Sequence, residues 1–410
     1  MARFVHASRI FVSMWGHHVG AIVPAPQPGV FAFRYDPLFL ATGIEIAPLS
    51  MPLRREPYVF ADMPREAFGG LPPVFADSLP DSFGAGLIDF WLAERGLARR
   101  DITSVDRLAY IGPRGMGALC YEPDRGPRSQ PSSLELRALV ETARRAANGE
   151  LASLAGDDAL RVLLRLGSSA GGAQAKAVVG WNRTTGKFMF GDGDLPDGFA
   201  HWIIKFTPRE YPWRGEKEFA MRNAAVSAGI KMTDACLIEV DGVRHFATRR
   251  FDREGGKRHH LISFAALTHI PPGAPPEHRA YERLFVAADE LGLPWEDREE
   301  IFRRMAFNVI AGECDDHAKN FSFILREGDT WRLAPAYDLT GSDFPSSDPW
   351  SAHGGIHQMS VCGKFSGIGE DDILHVADRF GIGTAESVLN EVREGVKGAA
   401  AQKPLHPSRA

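Results

Sequence analysis

The stretch GECDDHAKNFSFIL, residues 312–325, decides the fold of this chain. On its N-terminal side, DREEIFRRMAFNVIAG places Ile301, Met305 and Val309 at i, i+4 and i+8, with Phe302, Ala306 and Ile310 beside them. That spacing predicts a helix with a buried face, stopped by Gly312. On the C-terminal side, FSFIL reads as an apolar strand. A short polar loop between an apolar helix and an apolar strand is held rigidly, so its side chains point in fixed directions.

Inside the loop, Asp315 and Asn320 stand five positions apart. Phosphoryl transfer by a protein kinase uses an aspartate to orient the acceptor hydroxyl and an asparagine five residues later to hold Mg²⁺. Asp316 gives a spacing of four, which makes Asp315 the candidate. Read alone, the pattern also fits an Asx-rich turn at a helix end. Cys314 and His317 form half a zinc site, but no second half follows at a suitable spacing.

Three further pieces work outward from this loop. LAPAYDLT, residues 333–340, ends an apolar strand on Asp338, a carboxylate that could share a Mg²⁺ with Asn320. GSSAGGAQAK, residues 167–176, is a small-residue loop whose amides could cradle phosphate, although it is no Walker A loop. In HWIIKF, Lys205 shares a strand face with Ile203, opposite Trp202, Ile204 and Phe206, and Glu218 on the next helix could pair with it. Each piece is weak by itself. Their order (Gly-rich loop, strand lysine, helix glutamate, hairpin, helices, D-x-x-x-x-N, strand-end Asp) is the order of parts in a kinase.

The rest of the chain is consistent with a two-lobed body. The N-terminal 120 residues read as β-rich: RIFVSMWGHHVGAIV as strand, Gly-centred turn and strand, FAFRY and LAYIGPRGMGALCYEP with similar signals, and SFGAGLIDFWLAERGL as a helix. EPDRGPRSQPSS, residues 122–133, is a linker candidate, and LELRALVETARRAAN a helix. RVLLRL then reads as a strand before the small-residue loop. In ACLIEVDGVRHFATRR, Asp241-Gly242 marks a hairpin. GDGDLPDG suggests a Ca²⁺ loop, but Ile203 stands where the closing glutamate is required.

Of 410 residues, 44% are hydrophobic and 24% charged, the composition of a globular chain. The net charge of −5 provides no overall basic field to steer the chain onto nucleic acid. Four scattered cysteines without a C-x-x-C pair favour a reduced, cytoplasmic setting. No apolar run reaches 18 residues, and Arg9 interrupts the apolar stretch near the start, so neither a membrane span nor a signal peptide is expected. Lysine is scarce. There are ten, and none precedes Lys176.

GSSAGGAQAK, HWIIKF, ATRRFDR, DDHAKNFSF and PAYDL together resemble the signature set of the HipA family, bacterial serine/threonine kinases of which many are toxins of type II toxin–antitoxin systems. GLPPVFADSLPDSFG and YIGPRGMGALCYEP are similar to that family's N-terminal subdomain, so the resemblance spans nearly the whole chain. It implies an α+β, two-lobed protein-kinase-like fold, with a β-rich N-lobe, a helical C-lobe and an added β-rich N-terminal subdomain. The expected divisions are 1–125, 126–251 and 252–410.

By position, the resemblance makes Asp315 the catalytic aspartate, Asn320 and Asp338 the Mg²⁺ ligands, and Lys205 the lysine on the ATP phosphates. Loop amides at Gly171, Gly172, Ala173 and Gln174 would cover those phosphates. Arg250 and Phe251 would lie at the hinge beside adenine, and His317 next to the phosphates. The autophosphorylated loop serine would be Ser169 or its neighbour Ser168. A HipB-like DNA-binding antitoxin is the implied partner, with DNA contact mainly through it, and an aminoacyl-tRNA synthetase is the leading protein substrate. One departure is Asp316, where the family often has glycine; an added carboxylate there is expected to bring negative charge beside the metal. Two other readings stay open: a nucleotide-binding pseudokinase acting as an interaction module, and a metal-dependent phosphohydrolase or nuclease.

Overall fold

The computed structural model describes residues 5–80, 82–127, 135–154, 158–166, 174–191, 193–341 and 355–401. Its first unit is a five-stranded antiparallel sheet in the order β4-β3-β2-β1-β5, from β1 (Ile10–Met14), β2 (His17–Pro24), β3 (Phe31–Tyr35), β4 (Tyr58–Val59) and β5 (Cys120–Glu122). Alternation sends Ile10, Val12, Met14, Phe31, Phe33 and Tyr35 inward. Helices α1 (Ser82–Ala93) and α2 (Ser104–Ile111) belong to this unit, with Trp91 edge-on to Tyr110 between them.

Part of LAYIGPRG is therefore helix, not strand. Thr103 and Asp106 make a reciprocal capping box that starts α2, and Val105, Leu108, Ala109 and Ile111 bury its face. The T-x-x-D signal was present in the sequence, but the reading started beyond it. A second correction concerns RVLLRL, which lies in helix α4 (Asp158–Leu166) following α3 (Leu136–Ala147). Leu160, Leu163 and Leu164 are buried at helical spacing. The expected linker is described only to residue 127; the remainder falls outside the described residues.

The second sheet runs β7-β6-β8-β10-β9, from β6 (Lys176–Asn182), β7 (Lys187–Phe190), β8 (Ala200–Lys205), β9 (Ala235–Val240) and β10 (Val243–Arg249). Asp241 and Gly242 turn the β9–β10 hairpin with φ of 51° and 74°, the left-handed pair that a two-residue turn requires. Trp202 and Ile204 of β8 point into the core, and side chains of this size contribute about 1.5–3 kcal/mol each when buried. Helix α5 (Arg214–Ser227) packs on β9 and β10.

After a short ribbon, β11 (Arg253–Glu254) with β12 (Lys257–Arg258), the third sheet has the order β13-β14-β15, from β13 (His260–Ser263), β14 (Ser322–Leu325) and β15 (Trp331–Leu333). The helical C-terminal half thus carries a sheet of its own. The helices of this half are α6 (Tyr281–Glu290), α7 (Trp295–Ala311), α8 (Glu370–Phe380) and α9 (Ala385–Ala401), the last packing on α5 and α7. Helix α7 ends on Gly312 at φ 69°, and the polar loop then runs directly into β14.

The first unit is fastened to residues 252–263. Asp252 receives the Gly117 amide at 2.7 Å and both Arg250 and Arg253, while Arg253 also reaches the Gly115 and Gly117 carbonyls. Asp77 accepts the Ser263 amide and hydroxyl, each at 2.7 Å. No helix among the described residues is long and apolar enough to cross a membrane.

Candidate active site

Lys205 closes β8, and Lys176 opens β6 directly opposite it in the antiparallel register. Opposed residues share a face, so both lysines lie on one side of the sheet, and both are buried. Lys205 Nζ contacts Glu218 Oε1 from α5 and Asp338 Oδ1 from beyond β15. Burial works against the ammonium, but Asp338 and then Glu218 outweigh it and hold Lys205 above its ordinary value.

The two carboxylates respond differently. Burial raises Glu218, which Lys205 only partly offsets. Burial also acts upward on Asp338, yet Lys205 and then Lys176 pull it well below the carboxylate range. Asp338 is therefore the firmly ionised partner, and it is the more open one: its side chain is 29% exposed against 4% for Glu218. Its backbone sits at φ 57°.

The polar loop and Asp338 face one pocket. Glu313, Asp315, Asn320, Tyr337 and Asp338 all line it. Asn320 Nδ2 donates to the Asp315 carbonyl at 2.7 Å, closing the five-residue span and leaving Oδ1 as the oxygen the side chain could offer a cation. Mg²⁺ takes one or two carboxylates and completes its octahedron with phosphate oxygens and water. An ionised Asp338 with Asn320 Oδ1 fits that demand. His317 Nε2 stands 3.9 Å from Asp315 Oδ1, and its buried Nδ1 has no hydrogen-bond partner among the described residues.

Phe251 stacks obliquely on Tyr337, ring centroids 5.8 Å apart, which brings the segment after β10 beside Asp338. The Arg250 side chain turns away into the Asp252 knot, so only its backbone is left to face a nucleotide; its amide already donates to the His201 carbonyl. Gln174 Nε2 donates to the Phe206 carbonyl at 3.2 Å, tying the end of the small-residue loop to the strand that carries Lys205. Ser168, Ser169, Gly171, Gly172 and Ala173 lie outside the described residues.

Asp316 lines the same pocket as Asp315 and Asp338 but is 1% exposed, and its oxygens are taken by Tyr281, His357 and the backbone of residues 358 and 359. Two site residues escaped the sequence reading, and the role of a third was missed. Glu313 is buried between the Asp315 and Gly341 amides, and burial lifts its carboxyl to about 8. Gln358 donates to Asp315 Oδ1 at 2.9 Å. Lys176 was seen only as the end of the loop; its pairing with Lys205 comes from strand register. For Glu313, a charged residue directly after a helix-stopping glycine was the available signal.

Residues 168–401 match the family described as HipA-like C-terminal domain, and residues 10–122 the family described as HipA N-terminal domain. The chain is 25% identical over 340 residues to "Putative kinase Y4dM" of Sinorhizobium fredii, covering 80% of this chain and 75% of that one. It is 26% identical over 369 residues to "Putative kinase Y4mE" of the same species, covering 83% and 79%. Among solved structures, it superposes with a TM-score of 0.69 on a chain from the Shewanella oneidensis MR-1 toxin–antitoxin complex of HipA, HipB and its operator DNA, covering 97% of this chain and 92% of that one. Sequence identity there is 16%, so that likeness speaks for the fold.

Proposed function

The chain belongs to the HipA family of kinases, and from that premise we propose that it is an ATP- and Mg²⁺-dependent serine/threonine protein kinase acting as a HipA-like toxin. The observation that carries the reading is the contact of Lys205 with both Glu218 and Asp338, the last of which lines one pocket with Asp315 and Asn320. A phosphohydrolase built on the carboxylates would leave Lys205 and Glu218 without work. A nucleotide-binding pseudokinase acting as an interaction module would keep the same groups for the nucleotide, and phosphotransfer itself separates it from a kinase.

In this reading the labour is divided as follows. Lys205, steadied by Glu218, would bind phosphate oxygens, with Lys176 beside it. Asn320 and Asp338 would hold Mg²⁺, which would supply positive charge to the transferring group. Asp315 accepts a hydrogen bond from the serine or threonine hydroxyl and aims it at the phosphorus. Phe251 and the backbone at Arg250 border the adenine, and His317 faces phosphate. Catalysis of this kind is mostly positioning and charge neutralisation.

We divide the chain at 125 and 251 into an N-terminal subdomain, an N-lobe and a C-lobe. The leading protein substrate is an aminoacyl-tRNA synthetase, the partner a HipB-like antitoxin that makes most of the DNA contact, and the autophosphorylated serine Ser169 or Ser168.

The test is phosphotransfer from γ-labelled ATP with Mg²⁺ by the purified chain. Asp315→Ala and Asp338→Ala each lower it by about 10²-fold or more. Wild-type rates of autophosphorylation in both variants would falsify the assignment. Phosphoproteomics after induced expression, wild type against Asp315→Ala, identifies the substrate.

A further inference from the structure

Position 316 carries a buried carboxylate with an unusually complete set of partners. Asn308 Nδ2 donates to the Tyr281 hydroxyl at 2.8 Å. An amide N–H can only donate, so the Tyr281 oxygen is the acceptor there and its own hydrogen points to Asp316 Oδ2, 2.9 Å away. His357 Nδ1 lies 2.9 Å from the same oxygen. Asp316 Oδ1 takes the Gln358 amide at 2.7 Å and the Met359 amide at 3.4 Å.

Three of these partners belong to one short segment, more than forty positions further along the chain. A carboxylate serving only to shape its own turn has no need of them. What the docking achieves is visible at Gln358. With its backbone gripped by Asp316, its side-chain amide reaches Asp315 Oδ1 at 2.9 Å. The Asp315 side chain is 34% exposed, and the Gln358 amide gives its Oδ1 a donor of fixed position.

We propose that Asp316 and Gln358 are a pair of positioning residues for phosphoryl transfer: Asp316 docks residues 357–359 against the loop, and the Gln358 amide holds the Asp315 carboxylate in the orientation that the acceptor hydroxyl meets. The inference rests on the kinase reading above and names how that site is kept in register.

The experiment is steady-state phosphotransfer by the full chain, with kcat, the KM for ATP and the thermal midpoint measured together. Gln358→Met keeps the length and removes the donor; kcat falls about 10-fold, while the KM for ATP and the midpoint stay at wild-type values. Gln358→Glu sets two carboxylates against each other, and kcat falls about 100-fold. Asp316→Asn lowers kcat through Gln358, so adding Gln358→Met to it costs no more than a further factor of about two.

A Gln358→Met protein with wild-type kcat overturns the proposal. So does a double variant that loses the full product of the two single effects, since Asp316 would then act independently of Gln358. If Asp316→Asn does not fold, the two Gln358 variants decide. A wild-type chain without phosphotransfer overturns the kinase reading and this proposal with it, whereas an active wild type and an indifferent Gln358→Met overturn this proposal alone.

Discussion

Lys205, the last residue of β8, and Asp338, 133 positions later, form an ion pair, and Glu218 shares the same ammonium. The proposed phosphate-binding and metal-binding groups thus neutralise each other directly. Removing one member of a buried pair strands the charge of the other, at a cost of about 3–5 kcal/mol.

Lys205→Met is therefore expected to lose stability of that order as well as phosphotransfer. Adding Glu218→Gln, which removes one of the stranded acids, recovers part of the stability but none of the activity. Urea unfolding of the single and double variants tests this, and equal midpoints for wild type and Lys205→Met would remove the ion pair from the account.

Glu313 gives a pH dependence. Its folded-state pKa of about 8 lies above the ordinary value. A carboxyl raised on folding stabilises fully below its unfolded pKa and loses that contribution as pH rises through the folded pKa, with a limiting slope of about 1.4 kcal/mol per pH unit. Glu313→Gln does not titrate. Wild-type stability relative to Glu313→Gln should decline from pH 5 to pH 8 and level off above that; a difference that stays flat in paired thermal melts counts against the buried carboxyl.

Asp252 runs the other way. Burial acts upward on it, but Arg250 and Arg253, with the Gly117 amide, hold it far below the carboxylate range. A depressed carboxyl contributes its full stability above its unfolded pKa and loses it only as pH falls through the folded pKa. Asp252→Asn leaves two buried guanidinium groups without their carboxylate, so at pH 7 it should cost about 3–5 kcal/mol, and the gap to wild type should narrow in strong acid. Equal urea midpoints at pH 7 would show that the knot between the first sheet and the ribbon does not stabilise the fold.

Asn320→Ala removes both the 2.7 Å bond to the Asp315 carbonyl and the proposed Oδ1 metal donor. The lost hydrogen bond costs about 1 kcal/mol of stability. The lost donor should raise the Mg²⁺ concentration needed for half-maximal phosphotransfer, and an unchanged Mg²⁺ titration in an active variant would take Asn320 out of the metal site.

The order of parts was legible in the sequence because each part is local: a loop of fixed length, a strand lysine, a helix glutamate. Lys205 and Glu218 could be paired in advance because the chemistry demands their meeting, whereas the contact of Lys205 with Asp338 was not anticipated. What was missed is non-local. Lys176 faces Lys205 through strand register, and Gln358 meets Asp315 across 43 positions; neither leaves a periodic trace. The partners of Asp316 were not legible because spacing alone does not say which way a side chain turns out of a loop. RVLLRL was read as a strand because six residues, four apolar and two arginine, have no decisive period, and only the turn of helix before it, from Asp158, shows the spacing.

The backbone at Asp338 has one more consequence. At φ 57°, aspartate, asparagine and glycine are at home and most other residues are strained. Shape and charge therefore filter this position independently. Asparagine keeps the conformation without the anion, glutamate keeps the anion at a conformational penalty, and only aspartate satisfies both. A drift in sequence that spared function would have almost nowhere to go here, although the neighbouring Leu339 is free of that double constraint.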